Sequence, residues 1–303
     1  MLEFRKIIPE DRAAYQALLE QSGDRGCEFS FANLCLWGRQ RIAFAEGHGV
    51  LFSQFDRRTV YPFPVGGGEK KPVLDAIIAD SRARGIPCRL TGLTETDIKT
   101  VQDLYPGQFR FHCDRGSYDY VYAIEDLAEL KGRKYQKKRN HVNKFKATHP
   151  EYRTEPLNED NLPLAKALVQ EWYAHREQTD PAGDYLMEKV ALTKALDRYE
   201  SLGMESLVLL ADGKALALTM GSFLSHHTVD VHFEKAREDA DGAYPVINME
   251  FARYLRAKYP DLQWLNREED MGLEGLRKAK ESYYPHHLQE KCWAHLVEDG
   301  DDY

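Results

Sequence analysis

The chain has 303 residues, of which 43% are hydrophobic and 30% are charged, values typical of a soluble globular protein with two domains or one large domain. Its 41 basic and 49 acidic residues give a formal charge of −8, which excludes a generally basic, non-selective binder of polyanions. No window approaches eighteen uncharged apolar residues, and the N-terminus has no apolar signal core, so we expect no membrane span and a cytoplasmic location.

The cysteine content also favours a cytoplasmic location. Their number is odd, they are scattered, and none belongs to a C-x-x-C pair: Cys27, Cys35, Cys88, Cys113 and Cys292. This usage predicts reduced thiols and no disulfide framework.

Hydrophobic periodicity and turn residues divide the first half into recognisable elements. The predicted order is a helix at 11–21, a hairpin of strands 50–55 and 59–63, a glycine loop at 66–68, a helix at 71–84, a strand at 88–90, a helix at 94–104, and an antiparallel pair of strands at 109–112 and 119–124. Thr94 and Asp97 predict a capping box at the start of the helix at 94–104. An aromatic, apolar stretch at 28–37 is predicted to be core.

The second half repeats this order. It is predicted to contain a basic helix at 130–147, helices at 162–176 and 185–202, a meander of strands 206–211, 215–224 and 228–234, a helix at 246–258, a strand at 262–265, a helix at 273–283 and a strand at 290–297. Strands followed by alternating helices predict an α+β, or mixed α/β, fold. The order resembles the GNAT acyltransferase fold, here as two tandem GNAT-like domains at 1–125 and 126–303.

The basic helix is the most distinctive segment. Residues 130–146 hold eight Lys or Arg residues and no Asp or Glu. Tyr135, Val142 and Phe145 recur at helical spacing, so one face can dock while the basic faces stay exposed. The pattern predicts a local field directed at an anionic partner, and the alternative is an ordinary solvated helix.

The strand at 228–234 alternates strictly. Asp230, His232 and Glu234 are predicted to share one face, where a carboxylate and an imidazole could exchange protons with an attacking nucleophile. The alternative is a solvent-facing strand. His226 and His227 add no ligand spacing to His232, so no metal site is expected.

Two further clusters follow this strand. GNAT-type enzymes bind the donor's pyrophosphate on a loop that corresponds here to Asp241, Gly242 and Tyr244, but the acids at 238, 239 and 241 would repel coenzyme A. Around the helix at 273–283, Arg267, Lys278 and Lys280 are candidate contacts to an acyl or phosphate group. The alternative for the cations at 277–280 is that they complement the helix dipole.

Six segments together resemble one family. They are EFSFANLCLW, DYVY, LKGRKYQKKRNHVNKF, HFEKA, DGAYPVIN and NREEDMGLEGLRKAKESYYP, and they span nearly the whole chain. The family is a bacterial group of uncharacterised proteins similar to the C-terminal, cytoplasmic domain of phosphatidylglycerol lysyltransferase. The resemblance implies a tandem GNAT, Fem-like fold and transfer of an aminoacyl group from aminoacyl-tRNA to a lipid or peptide amine or hydroxyl.

The leading hypothesis is therefore an aminoacyltransferase with aminoacyl-tRNA as donor and an unknown acceptor. Glu234 or Asp230 is the expected base, with His232 as the next candidate. The residues expected to hold tRNA are Lys134, Lys137, Lys138, Arg139 and Asn140. Two alternatives stay open: an N-acyltransferase that uses acyl-CoA as donor, and a non-catalytic protein that binds tRNA or an anionic membrane surface.

Overall fold

The computed structural model describes residues 1–55, 58–180, 183 and 185–297, and these divide into two compact units. The first unit contains Met1–Tyr120, Glu268–Lys278 and the described residues from His287 onward, and the second contains Val121–Arg267 and Ala279–His286. The predicted boundary near 125 falls close to the first break. The chain then returns to the first unit, which a division at a single position does not represent.

Strands and helices alternate along both units. The strands are β1 Arg5–Lys6, β2 Gln40–Ala45, β3 His48–Phe55, β4 Arg58–Pro62, β5 Arg89–Leu93, β6 Phe109–Cys113, β7 Asp119–Ala123, β8 Arg153–Glu155, β9 Glu205–Ala211, β10 Lys214–Ser225, β11 Thr228–Ala236, β12 Trp264–Asn266, β13 His287–Gln289 and β14 Cys292–Leu296. The helices are α1 Arg12–Leu19, α2 Phe31–Trp37, α3 Lys71–Arg84, α4 Glu95–Leu104, α5 Ile124–Glu129, α6 Gln136–Thr148, α7 Leu162–Thr179, α8 Leu186–Arg198, α9 Ala243–Lys258 and α10 Glu274–Glu281.

The first unit is built on a sheet in the order β1-β2-β3-β4-β5-β14-β6. The β4–β5 pair is parallel and the other pairs are antiparallel. The predicted capping box is confirmed, because the Thr94 hydroxyl accepts from the Asp97 N–H at 3.3 Å and the Asp97 carboxylate accepts from the Thr94 N–H at 2.9 Å. The predicted core stretch at 28–37 is also confirmed, with Phe29, Phe31 and Leu34 buried.

The second unit is built on a sheet that contains β7, β12, β11, β10, β9 and β8 in that order. The predicted pairing of strands 109–112 and 119–124 is wrong. β6 pairs with β14 in the first sheet, whereas β7 pairs with β12 in the second. β14 comes from the last described part of the chain, and the residues near β6 do not indicate that it pairs with so distant a strand. Among the described residues, no helix combines the length and apolar character needed to cross a bilayer.

Two further predictions are corrected. The basic helix begins at Gln136 and not at 130, because Leu130 and Gly132 adopt positive φ angles of 50° and 86° that interrupt the helix. Cys113 and Cys292 form a disulfide, contrary to the expectation of reduced thiols. They lie directly opposite each other on β6 and β14, with 4.4 Å between their Cα atoms, although 179 positions separate them in the sequence.

Candidate functional site in the second unit

The candidate site lies where β11 extends beyond its parallel neighbour. β11 pairs with β12 only from Thr228 to Asp230, where β12 reaches its end at Asn266. Helix α9 makes the crossover between the two strands, so this is a β–α–β unit. In such units ligands bind beyond the carboxyl ends of the strands, and Glu234 lies on that extension of β11.

A β-bulge at His232 reorganises the predicted acid–imidazole row. β10 residue Met220 pairs with Phe233 and the next residue, Gly221, pairs with Val231, so His232 is the extra residue. Thr219 therefore shares a face with Glu234, whereas Asp230 projects to the opposite face of the sheet. The prediction that Asp230, His232 and Glu234 share one face is wrong, because strict alternation does not survive a bulge.

Asp230 and His232 instead form a buried chain with a serine. The Ser222 Oγ lies 2.8 Å from Nε2 of His232, and the His232 Nδ1 lies 3.3 Å from Oδ2 of Asp230. The side chains of Asp230 and His232 are 0% and 1% exposed, so the solvent-facing alternative is also wrong. Hydrogen bonding of this kind holds the imidazole ring in a fixed orientation.

Glu234 lies in a different setting, on the face that carries α9. Its Oε1 accepts from Nη2 of Arg267 at 3.0 Å, and its Oε2 accepts from Nδ2 of Asn248 at 3.2 Å. The side chains of Glu234 and Arg267 are 11% and 15% exposed. Burial by itself would lower the pKa of the Arg267 guanidinium, but the charge of Glu234, together with smaller contributions from Tyr122 and Tyr283, outweighs burial and holds that pKa above its ordinary value.

Three buried atoms around Glu234 have no hydrogen-bond partner among the described residues. They are Nη1 of Arg267, Oδ1 of Asn248 and Oγ1 of Thr219. Buried polar atoms are normally paired, since an unpaired one costs about 1–3 kcal/mol. The carboxylate is thus held by two side chains that each keep a donor or an acceptor available for a ligand.

Lys138 also belongs to this site. Its Nζ donates to Oγ of Ser282 at 2.8 Å and lies 3.7 Å from the centroid of the Tyr283 ring, which Arg267 also contacts at 4.9 Å. Burial, followed by the positive charge of Arg267, lowers the pKa of Lys138 to about 8. An amine with this pKa exchanges protons near neutral pH.

The other cations of the basic segment differ in their partners. Lys134 pairs with Asp126 at 3.2 Å, and Arg139 donates to the carbonyls of Leu130 and Gly132. The remaining ion pairs of the basic segment are Lys131 with Glu125 and Glu129, Lys144 with Asp241, and Lys146 with Glu250. The segment has no acids of its own, but other elements supply acidic partners for four of its eight cations, so its charge is only partly compensated.

Two further predicted contacts of this segment, Lys137 and Asn140, are both exposed. Lys137 is exposed and has no acidic partner in the part of the chain that the structure describes. Asn140 is exposed, and its Oδ1 accepts from Nε2 of Gln136 at 2.8 Å. Lys137 therefore remains available to an anionic partner.

The predicted cations near α10 separate between the two units. Lys280 belongs to the second unit and donates to the backbone carbonyl of Arg267. This hydrogen bond fixes the backbone at Arg267. Lys278 belongs to the first unit, where it pairs with Glu274 on an exposed helical turn. Only Arg267 and Lys280 therefore join the site around Glu234 within the second unit.

The predicted donor loop leads directly into α9. Gly242 has a φ angle of 90°, and a Cβ atom there would lie 2.6 Å from the carbonyl of His141, so the position requires glycine.

The side chains of this loop have partners on other elements. Asp241 is paired with Lys144 at 2.6 Å, which lowers the pKa of the carboxyl group. Tyr244 accepts from Nε1 of Trp172 at 3.2 Å. The loop acids are compensated, since Asp239 pairs with Arg237 and Glu238 with His175 and Arg176.

Sequence reasoning did not single out Asn248, Thr219, Ser222 or Tyr283 as members of a site. Asn248 lies within the DGAYPVIN segment and Tyr283 within the SYYP segment, so both were inside quoted motifs. A polar residue in the otherwise apolar row of α9 was the available signal for Asn248. Thr219 carried none, because its role depends on pairing with Glu234.

Comparisons with known proteins agree with this architecture. A family model described as "Phosphatidylglycerol lysyltransferase, C-terminal" matches residues 19–295. A conserved protein of unknown function from Bacteroides thetaiotaomicron is 37% identical and has a TM-score of 0.92, with 98% of this chain and 100% of that chain covered. No curated protein matches the chain.

More distant solved structures share the fold. L-PGS from Bacillus licheniformis is 15% identical with a TM-score of 0.66, covering 96% of this chain and 93% of that one. FemX is 12% identical with a TM-score of 0.61, covering 98% of both chains. The predicted α+β fold with GNAT-like, Fem-like architecture is confirmed. The chain belongs to the family of the phosphatidylglycerol lysyltransferase C-terminal domain.

Proposed function

We propose that the chain is an aminoacyltransferase and that the second unit binds the aminoacyl group around Glu234. The observation that carries the proposal is the buried Glu234 carboxylate, held by Arg267 and Asn248 while each of these keeps an unused hydrogen-bonding atom. An aminoacyl ester offers a matching set of groups: an ammonium that donates and a carbonyl oxygen that accepts.

In this arrangement Glu234 and Oδ1 of Asn248 receive the α-ammonium group of the donor. Nη1 of Arg267 donates to the ester carbonyl and stabilises the negative charge that develops on its oxygen during attack. Because Arg267 is already fixed by Glu234 and Lys280, this donor needs little reorganisation in the transition state.

Lys138 supplies the proton transfer. The acceptor's amine or hydroxyl attacks the carbonyl carbon, the bond to the 3′-oxygen of the tRNA breaks, and the proton lost by the nucleophile passes to the neutral amine of Lys138. That proton then goes to the departing 3′-oxygen. A pKa of about 8 suits both directions of transfer near neutral pH.

The donor is aminoacyl-tRNA, as the family resemblance implies, and the exposed Lys137 supports contact with the tRNA backbone. The acceptor is an amine or hydroxyl of a lipid, a peptide or a small molecule. The matched family model is named for a lysyltransferase of phosphatidylglycerol, which makes this lipid the first acceptor to test. The cytoplasmic location and the roles of the predicted site residues remain predictions.

The deciding experiment is binding of bulk tRNA, aminoacylated or uncharged, at two salt concentrations, with acetyl-CoA tested in parallel. We expect aminoacylated tRNA to bind about tenfold more tightly, which is the effect of one charge-assisted hydrogen bond. The preference should disappear in Glu234→Gln and persist in Glu159→Gln, which alters an exposed carboxylate.

Three results would contradict the proposal. Equal affinity for charged and uncharged tRNA would remove the aminoacyl site and leave a salt-dependent binder of tRNA or of an anionic membrane surface. Binding of acetyl-CoA without binding of tRNA would point to acyl-CoA as donor. The acyl-CoA would then bind at the start of α9, where the N-cap residue Gly242 has no side chain. Retained preference in Glu234→Gln would move the aminoacyl site elsewhere.

A further inference from the structure

A basic and aromatic face lies at one end of the first unit's sheet, on strands β5, β14 and β6. Arg89, His295 and Arg110 lie directly opposite one another across the three strands and form one row. Trp293 and His112 are paired in the next row. The pairing of β14 with β6 is regular over this length, so all five side chains project from the same side of the sheet.

The side chains of this face are accessible to solvent. Arg110 and His112 are exposed, and the other three are half-buried. The alternate residues of β14, Ala294 and Leu296, are buried on the opposite side. The strands therefore show one core side and one side that a partner can reach.

The charge of this face is unusual in so acidic a chain. The three strands contain no Asp or Glu, although the whole chain has 49 acidic residues and a formal charge of −8. Arg89 and Arg110 are only two strands apart, which places their backbones about 10 Å from each other. Like charges on neighbouring strands repel each other, and an anion bound on this face would relieve that repulsion.

The aromatic row indicates which kind of anion fits. Trp293 and His112 offer ring faces on which nucleic-acid bases can stack, while the arginine row can contact phosphates. An anionic membrane would instead be met by protruding apolar side chains. No aliphatic residue of these three strands, all of which the structure describes, is exposed.

We propose that this face binds RNA and that it holds an unpaired part of the tRNA donor. The identity of the RNA rests on the proposed function. Backbone phosphates lie against Arg89 and Arg110, and bases stack on Trp293 and His112. These groups do not read the aminoacyl ester, so the face contributes equally to the binding of charged and uncharged tRNA.

The test is titration of the full chain with fluorescently labelled, uncharged bulk tRNA at several salt concentrations. Arg110→Gln should weaken binding about threefold to tenfold, because a phosphate contact is lost. For the same reason it should lower the slope of log affinity against log salt concentration by about 1.

Arg82→Gln is the matched control. Arg82 is an exposed arginine in the last turn of α3. Helix α3 packs on the other side of the sheet, where the Tyr61 hydroxyl donates to Asp80 at 2.9 Å. Tyr61 pairs with Leu90, which projects opposite to Arg89. This variant should change affinity less than about twofold and leave the salt slope unchanged.

Trp293 tests the stacking part of the proposal. Trp293→Leu should weaken tRNA binding about tenfold, and Trp293→Phe, which keeps a ring, should weaken it less than about threefold. Thermal unfolding of both variants shows whether the sheet is retained. Equal losses of affinity in two folded variants would contradict stacking on this residue.

Three results would overturn the proposal. The first is an equal effect of Arg110→Gln and Arg82→Gln on tRNA binding. The second is an Arg110→Gln variant that loses affinity for phosphatidylglycerol vesicles but not for tRNA, which would assign the face to a membrane. The third concerns the four acids at 298–302, which follow β14 in the sequence. If Arg110→Gln affected tRNA binding only after their replacement by amides, these acids would be the occupant.

The same titrations separate this proposal from the transferase proposal. Arg110→Gln should weaken the binding of charged and uncharged tRNA by the same factor and keep the preference for charged tRNA. Glu234→Gln should abolish that preference and leave the binding of uncharged tRNA intact. Failure of the RNA-binding face and failure of the aminoacyl site are therefore distinguishable.

Discussion

The two units each contain a buried cluster of charged groups. The clusters differ in how completely their charged and polar groups are paired within the cluster. In the first unit, the ammonium of Lys291 lies 2.6 Å from Asp119, 3.0 Å from Glu269 and 3.2 Å from Glu28. In the second unit, Glu234 has two partners that keep unused atoms. A cluster that encloses its own counter-charge stabilises the fold, whereas one with unused donors and acceptors is prepared for a ligand.

The first cluster also includes a thiol. Cys27 donates from its backbone N–H to Asp119 at 2.7 Å, and its Sγ lies 3.2 Å from Glu269. Burial, and then the charges of Asp119 and Glu269, raise the pKa of this thiol well above its ordinary value, so the thiol stays protonated and unreactive. Cys27, Asp119 and Glu269 each direct one potential metal-ligand atom to the same place. The ammonium group of Lys291 already supplies the positive charge there.

The largest expected effect tests the structural half of the comparison. Lys291→Met should destabilise the protein by about 3–5 kcal/mol, because it leaves buried carboxylates without their cation. Urea unfolding measures this loss. Lys278→Met, which removes an exposed lysine of the same unit, should cost less than about 0.5 kcal/mol. Similar losses in both variants would mean that the Lys291 cluster is not a stabilising one.

Next is Glu234→Gln, which tests the functional half. The amide retains an oxygen for Arg267 but loses the charge that holds the donor's ammonium, so we expect transfer to fall about 100-fold or more. The measurement is the rate of aminoacyl transfer from charged tRNA under single-turnover conditions. An unchanged rate would assign Glu234 a structural role like that of Asp119.

A smaller effect concerns pH. With a pKa of about 8, Lys138 loses its proton as pH rises, so the transfer rate should increase between pH 7 and pH 9 and then level off. Lys138→Arg keeps the positive charge but cannot be deprotonated, and it should remove this inflection. An inflection that persists in Lys138→Arg would belong to another group.

The smallest effect is on Thr219, whose hydroxyl is buried without a partner. Thr219→Val removes this unsatisfied atom at nearly constant volume and should stabilise the protein by about 1 kcal/mol. If Thr219 contacts the donor, transfer should fall in the same variant. Thermal unfolding and transfer rates of one preparation test both statements, and a loss of stability would show that the hydroxyl has a partner.

Much of the architecture follows from local sequence. Periodicity predicted most helices, including the one observed as α7, and the Thr94–Asp97 spacing predicted a capping box that the structure contains. The α+β class and the family followed from element order and from segments spread along the chain. These features depend on neighbours within a few positions, where spacing alone determines which side chains meet.

The candidate site depended on contacts that spacing does not encode. The bulge at His232 sends Asp230 to the face opposite Glu234, because a register shift between β10 and β11 changes which side chains share a face. The counter-charges of the basic helix come from other elements, so its local charge overstates its field.

By itself, the sequence determined the fold class, the family and the identity of the residues available for chemistry. The tertiary structure decided which of them meet. Cys113 finds Cys292 across 179 positions, and Arg267 and Asn248 converge on Glu234 from different elements. The physical reason is that strand register, chain return and burial are set by packing of the whole unit, and they determine which charges are paired and which donors remain free.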